Sequence, residues 1–303
     1  MLIALLWGAS FAAGILWQRR RPDQAAAWNR RIFNAYFNLL APVVILFAYS
    51  TVPADRATLI GLGAVILASW LVLGVGGAYA RAVARSREEQ GALMLGSGFT
   101  NTVTLGYPVA NAVFGPPGLA LQVLFGQFMY LIPIISVSTT IAAHFGNGTR
   151  PRSWLGILRQ VVSVPLVVAV IAVVLRIAGV DITGLVDEPA AWVAFAMGPI
   201  GFLELGLALP LERISHTWDD LWRAMGPVLI RLLMAPAILL GLDLALGADV
   251  PAPYYLAIAM PAAFHTLILA RVFALPGAMM RLIVLLSTAI MLAAVFGWLV
   301  LFD

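Results

Sequence analysis

Apolar runs of about 20 residues recur from one end of this 303-residue chain to the other, and a run of that length is what a helix needs to cross a bilayer's hydrocarbon core. Because 62% of the residues are hydrophobic and only 11% are charged, nearly every residue falls in such a run or in a short connection. No material is left for a separate soluble catalytic domain. The sequence therefore predicts an all-α polytopic membrane protein. Ten transmembrane helices are expected, at 2–18, 32–51, 57–80, 91–114, 119–143, 154–178, 190–211, 222–246, 254–273 and 279–302. Tight connections at Pro116-Pro117-Gly118 and Leu275-Pro276-Gly277 divide stretches that would otherwise count as single spans. The first run carries Arg19, Arg20 and Arg21 after its apolar residues, the reverse of a secretory signal, and reads as a retained helix. Cysteine is absent, which excludes disulfides, thiolate chemistry and cysteine metal sites.

One span does not read as a lipid-facing helix. In GSGFTNTVTLGYPVANAVFGPPG, from Gly96 to Gly118, the apolar pattern is interrupted by Asn101, Thr102, Gly106, Pro108 and Asn111. Backbone groups freed in hydrocarbon cost several kcal/mol each, so an interrupted span has to be buried in protein or line a cavity. Secondary transporters bind substrate at such discontinuous helices.

Lysine is missing altogether, so arginine alone sets the orientation. Arg19, Arg20, Arg21, Arg30 and Arg31 lie between the first two spans. Arg81, Arg85 and Arg87 follow the third, Arg150 and Arg152 the fifth, and Arg213 and Arg223 the seventh; Arg271 and Arg281 flank the ninth connection. The other side holds Arg56, Arg176 near a span end, and an acidic loop with Asp181, Asp187 and Glu188. The positive-inside rule then places both termini outside the cytoplasm. Once these short loops are assigned no basic stripe is left over, so the net charge of +4 gives no reason to expect a nucleic-acid partner.

An internal echo suggests duplication. Ala112-Val113-Phe114-Gly115-Pro116-Pro117-Gly118 resembles Arg271-Val272-Phe273-Ala274-Leu275-Pro276-Gly277, and Ala41-Pro42 in span two resembles Gly198-Pro199 in span seven. The halves are 1–146 and 147–303, with five spans each. Five is odd, so the second copy enters the membrane upside down relative to the first. If span four is broken near Gly106 to Pro108, its partner is span nine, broken at Pro261, and the two meet near the midplane.

These residues resemble the auxin efflux carrier family of the bile-acid/sodium-symporter superfamily, along essentially the whole chain. The specific matches are Asn101-Thr102 with Gly106-Tyr107-Pro108 and Phe114-Gly115, then Met260-Pro261-Ala262-Ala263, with Leu158-Arg159-Gln160 leading to Pro165. The resemblance implies two inverted five-helix repeats, a scaffold and a core domain, fourth and ninth helices crossing at prolines, and transport of small organic anions such as auxin or dicarboxylates. It also implies an integral protein of a bacterial cell membrane. Two departures stand out. His265 lies where family members often have asparagine, and Arg271 replaces an acidic residue often seen near the end of the ninth helix. In addition, no acid lies between Tyr254 and Ala270, where sodium-coupled cousins place a carboxylate. Coupling to protons, or no coupling, is expected in preference to sodium.

A broken helix presents free N–H groups and partial positive charge at the start of its second half, which suits an anion. The expected substrate-binding residues are Asn101, Thr102, Thr104, Tyr107, Pro108, Gln127, Pro261, His265 and Thr266. The alternative for the prolines is a plain kink, with Asn101 and Thr102 satisfying the carbonyls it frees. Glu204 in span seven and His265 are the coupling candidates, since each could exchange a proton inside the membrane; a satisfied core role is the alternative for both. Arg231 in span eight is expected to snorkel to the interface rather than to neutralise substrate or Glu204. Asp243 is expected to meet water. Gln122, Gln127 and Tyr130 read first as interhelical contacts, as Gly74, Gly76 and Gly77 do. No zinc spacing, nucleophile elbow or phosphate loop is present, and no cofactor is expected. The preferred function is a secondary carrier of a small organic anion, with lipid and that anion as partners and a homodimer left open. The alternatives are a sodium-coupled bile-acid-type symporter, a passive channel, and an intramembrane lipid-acting enzyme.

Overall fold

The computed structural model describes residues 2–131, 134–147, 163–209 and 217–302. Among them the chain is helical throughout, and the pairing of Thr100 with Ala262 is an isolated bridge rather than part of a strand. Among the described residues seven helices are long and apolar enough to cross a membrane. They are α1 (Leu2–Arg20), α2 (Pro22–Thr51), α3 (Arg56–Val83), α5 (Thr102–Met129), α8 (Thr183–Ala208), α9 (Trp218–Leu246) and α12 (Gly277–Phe302). Between them lie the shorter α4 (Arg87–Gly98), α6 (Thr139–Phe145), α7 (Val164–Ile177), α10 (Ala252–Ile258) and α11 (His265–Val272). This is an integral membrane protein. Seven are fewer than the ten expected: where spans four and nine were expected, the described helices of 12, 7 and 8 residues are each too short to cross alone.

α5 is a hairpin rather than a 28-residue rod. Gly115 takes φ 68° and ψ −166°, a conformation essentially reserved for glycine, directly before Pro116 and Pro117. A Cβ on Gly118 would lie 3.0 Å from the Ala110 carbonyl, one on Gly106 2.4 Å from Gln122 Nε2, and one on Gly126 2.7 Å from the Tyr107 hydroxyl. In a straight helix residues 106 and 122 would stand about 24 Å apart, so the chain turns back at Gly115.

Three prolines inside spans share a local effect. Tyr36–Leu40, Thr102–Gly106 and Ile230–Met234 are π turns, each followed two residues later by Pro42, Pro108 or Pro236. A proline offers no N–H to the carbonyl four residues back and its ring collides with it. Widening the preceding turn relieves the collision, and the i→i+5 bonds Ala41 N–H to Tyr36, Tyr107 N–H to Thr102 and Ala235 N–H to Ile230 carry the helix through. This relocates the expected interruption of span four. Gly106 to Pro108 is helical, and the chain leaves the helix earlier, at Phe99–Asn101, where Phe99 is extended.

Packing is close where the site is framed. α1 and α8 touch backbone to backbone: a Cβ on Gly14 would sit 2.5 Å from the Leu203 carbonyl, and one on Gly206 2.3 Å from that of Phe11. α3 and α4 meet at Gly76, where a Cβ would overlap the Ser97 hydroxyl. At one end of the molecule Arg223 pairs with Glu89 at 3.2 Å and with Asp220 at 2.5 Å, and Arg85 joins Asp219, tying the start of α4 to the start of α9. Asp55 caps α3; the Thr58 N–H donates to it at 2.8 Å and holds its carboxyl below the usual carboxylate range.

Candidate functional site

The two short interruptions, at Phe99–Asn101 and between α10 and α11, lie against each other. The Asn101 N–H donates to the Pro261 carbonyl at 2.8 Å, and the Ala263 N–H donates to the Phe99 carbonyl at 3.0 Å. The Ala262 N–H reaches the Ser287 hydroxyl of α12 at 3.2 Å, while that hydroxyl donates to the Ile283 carbonyl at 2.8 Å. The Asn101 carbonyl accepts from the Gly106 N–H at 3.2 Å, which starts the π turn. Two segments without helical bonds thus satisfy one another, as backbone buried at membrane depth requires.

Side chains on this junction are buried but not all bonded. Asn101 is 6% exposed and its Nδ2 has no partner among the described residues. Thr102 shares a 2.7 Å hydroxyl bond with Thr100, so part of its capacity is used locally. Pro261 contributes its carbonyl to the junction. His265 opens α11 and meets the Phe99 ring edge to face, with centroids 6.0 Å apart. Thr266 is fully buried and donates to the Ala263 carbonyl at 2.6 Å, which marks it as a helix-start contact.

The other expected residues form an adjoining polar group. Thr104 lies in the π turn, and its side chain hydrogen-bonds Glu204 of α8. Glu204 is 4% exposed, and its Oε2 has no partner among the described residues. The approach depends on Gly201, where a Cβ would lie 2.6 Å from the Thr104 carbonyl and 3.5 Å from the Tyr36 hydroxyl. Tyr36 donates to the Val103 carbonyl at 3.2 Å and is buried in a cluster with Tyr107. Pro108 lines the buried turn that follows. The hairpin brings Gln122 back against Gly106, with both polar atoms of its amide buried and without a partner among the described residues. The same antiparallel register sets Gln127, whose Oε1 is also without a partner, level with Asn101.

The structure adds residues that the sequence did not single out. Tyr36 opens a π turn in span two, where nothing in the local pattern marks it. Gln122 reads from its span as helix glue, and only the fold-back at Gly115 shows its neighbour. Arg231 departs from the expected snorkel: at 1% exposure it donates through Nη1 to the Ser97 carbonyl at 2.9 Å and through Nη2 to the Ile258 carbonyl at 2.7 Å. Asp243 is partly exposed near the end of α9, in keeping with the expected solvent contact, and it also accepts from the Val250 N–H at 3.0 Å and the Tyr255 hydroxyl at 2.6 Å. Arg176 is spent on the Tyr49 and Val52 carbonyls at the end of α2. The side chain of Tyr130 and the segment Leu158-Arg159-Gln160 lie outside the described residues.

The fold and this buried polar junction define a polytopic helical membrane protein whose interior holds discontinuous backbone. No family model matches the chain. It is similar to a protein named uncharacterized transporter MJ1031 from Methanocaldococcus jannaschii, with 25% identity over 222 residues, covering 71% of this chain and 70% of that one.

Proposed function

We propose that the protein is a secondary transporter of a small organic anion, working by alternating access around the junction of the two interrupted spans, in the manner of the auxin efflux carriers it resembles. The observation that carries the reading is the paired interruption itself: buried, mutually bonded backbone beside Asn101, Gln122, Gln127 and Glu204, each buried and each keeping a polar atom without a partner among the described residues. Such atoms are costly unless something else bonds them at some stage of a cycle. The name of the archaeal relative points the same way. In this reading the chain is a carrier rather than an enzyme.

The reading includes two inverted five-helix repeats, 1–146 and 147–303, making ten spans. Its support is local and specific. Gly115 and Ala274 occupy equivalent places in the echoed segments, and both take positive φ, 68° and 53°. Each follows an interrupted span and precedes the last helix of its half. A non-glycine residue at positive φ is uncommon, so the coincidence of sign at the same place in the echo supports a duplicated turn.

The test is uptake into proteoliposomes of labelled mono- and dicarboxylates, with sodium, pH and potential varied separately. Saturable uptake of at least one carboxylate is expected, and none from the whole panel would remove the reading. His265→Ala is expected to weaken apparent affinity at least about tenfold, the usual loss for a polar contact to a charged ligand, with membrane content unchanged. An unchanged affinity would take His265 out of the site.

A further inference from the structure

We propose that Arg231 is a built-in cation that neutralises the two helix ends at the junction and keeps soluble cations such as sodium out of them. The inference rests on the carrier reading for its meaning in transport, but its geometry stands alone. Ser97 lies in the last turn of α4, and Ile258 is the last residue of α10. Both helices stop where the interruptions begin, so both direct their terminal carbonyls into the junction. A helix end of this kind carries roughly half an elementary negative charge, and two of them together match one guanidinium. The forked head of Arg231 bonds one carbonyl from each at 2.9 and 2.7 Å.

The placement has an energetic reason and a functional consequence. No carboxylate pairs with Arg231 among the described residues, so the partner of this buried charge is the pair of helix ends. Carbonyl-lined points of partial negative charge inside a membrane protein are also where a hard monovalent cation would bind. With a tethered guanidinium there at 1% exposure, that position is filled in this conformation. The carrier then needs no metal ion to hold the junction together, because the partial negative charge of the two helix ends is already balanced. Span eight supplies the charge from one half only: its counterpart in span three contributes Val65, Ala68 and Val72 to an apolar core.

Chemical rescue tests this directly. Purified Arg231→Ala protein in detergent is expected to melt roughly 10 °C below wild type, as expected for loss of one partner from a buried charged contact. Millimolar guanidinium chloride should recover at least half of that loss, and sodium chloride less. Choline chloride at equal ionic strength should recover none, and wild type should not distinguish the three salts. Guanidinium acting no better than choline would overturn the proposal, as would an Arg231→Ala protein as stable as wild type. Should the alanine variant not fold, Arg231→Lys against Arg231→Met decides. The charged lysine is expected to fold and melt well above methionine, and a lysine variant no more stable than methionine would overturn the proposal. Melting reads the helix ends whether or not an anion is carried. Failure of uptake by wild type would therefore sink the carrier reading while leaving this result to stand or fall separately.

Discussion

Asn101→Ala protein is expected to unfold no earlier than wild type and yet to bind the transported anion at least about tenfold more weakly. The two halves of this expectation have different physical sources. Asn101 holds the junction through its backbone N–H, which alanine keeps, whereas its side-chain Nδ2 is buried without a partner among the described residues. Removing such a group relieves a desolvation cost rather than creating one. A purely structural asparagine would behave in the opposite way, losing stability with truncation. Thermal melting and transport kinetics on the same preparation separate the cases. Gln122→Met is expected to move in the same direction, because both atoms of its amide are buried without partners against Gly106. A variant that is less stable with unchanged affinity would place Asn101 in the scaffold.

The class of protein was legible because composition and run length act on every residue at once. Most apolar runs became helices, and the arginine turn after Trp17 and the capped starts at Ser86 and Thr217 follow ordinary rules. Prolines misled in one respect. Pro108 advertises a break, but the helix absorbs it by widening the turn before it, and the interruption falls at Phe99–Asn101, where no proline stands. What ends the helix there is a partner segment contributed from about 160 residues away, through Pro261 and Ala263. Local pattern cannot show such a partner. Arg231 was obscured for the same reason: an arginine inside VLIRLLMAP reads as a long side chain reaching for water until the ends of α4 and α10 are seen to converge on it. Glu204 was visible as a lone carboxyl in an apolar span, but its contact with Thr104 depends on the close approach at Gly201.

Glu204→Gln is expected to leave uptake down an anion gradient largely intact while abolishing the part driven by a pH gradient. Glutamine matches the shape of a protonated glutamate and keeps a partner for Thr104, but cannot release a proton. If the carboxyl carries the coupling proton, one pH unit across the membrane is worth about tenfold accumulation in wild type, and that tenfold disappears in the variant. The assay is labelled uptake into proteoliposomes at zero potential, with and without an imposed pH step. Equal response to the step in both proteins would assign Glu204 to helix contact and return the coupling question to His265 or to the membrane potential.

The absence of cysteine makes the central claim directly measurable, because a single introduced thiol reports without background. Thr102→Cys places that thiol in the π turn beside the junction, at a position 1% exposed in this conformation. A membrane-impermeant thiol reagent should be applied from each side of sealed vesicles, with and without the transported carboxylate. The account predicts modification from both sides and slower modification when the anion is present. A thiol that reacts from neither side, or reacts at one rate whether or not the anion is there, would contradict it.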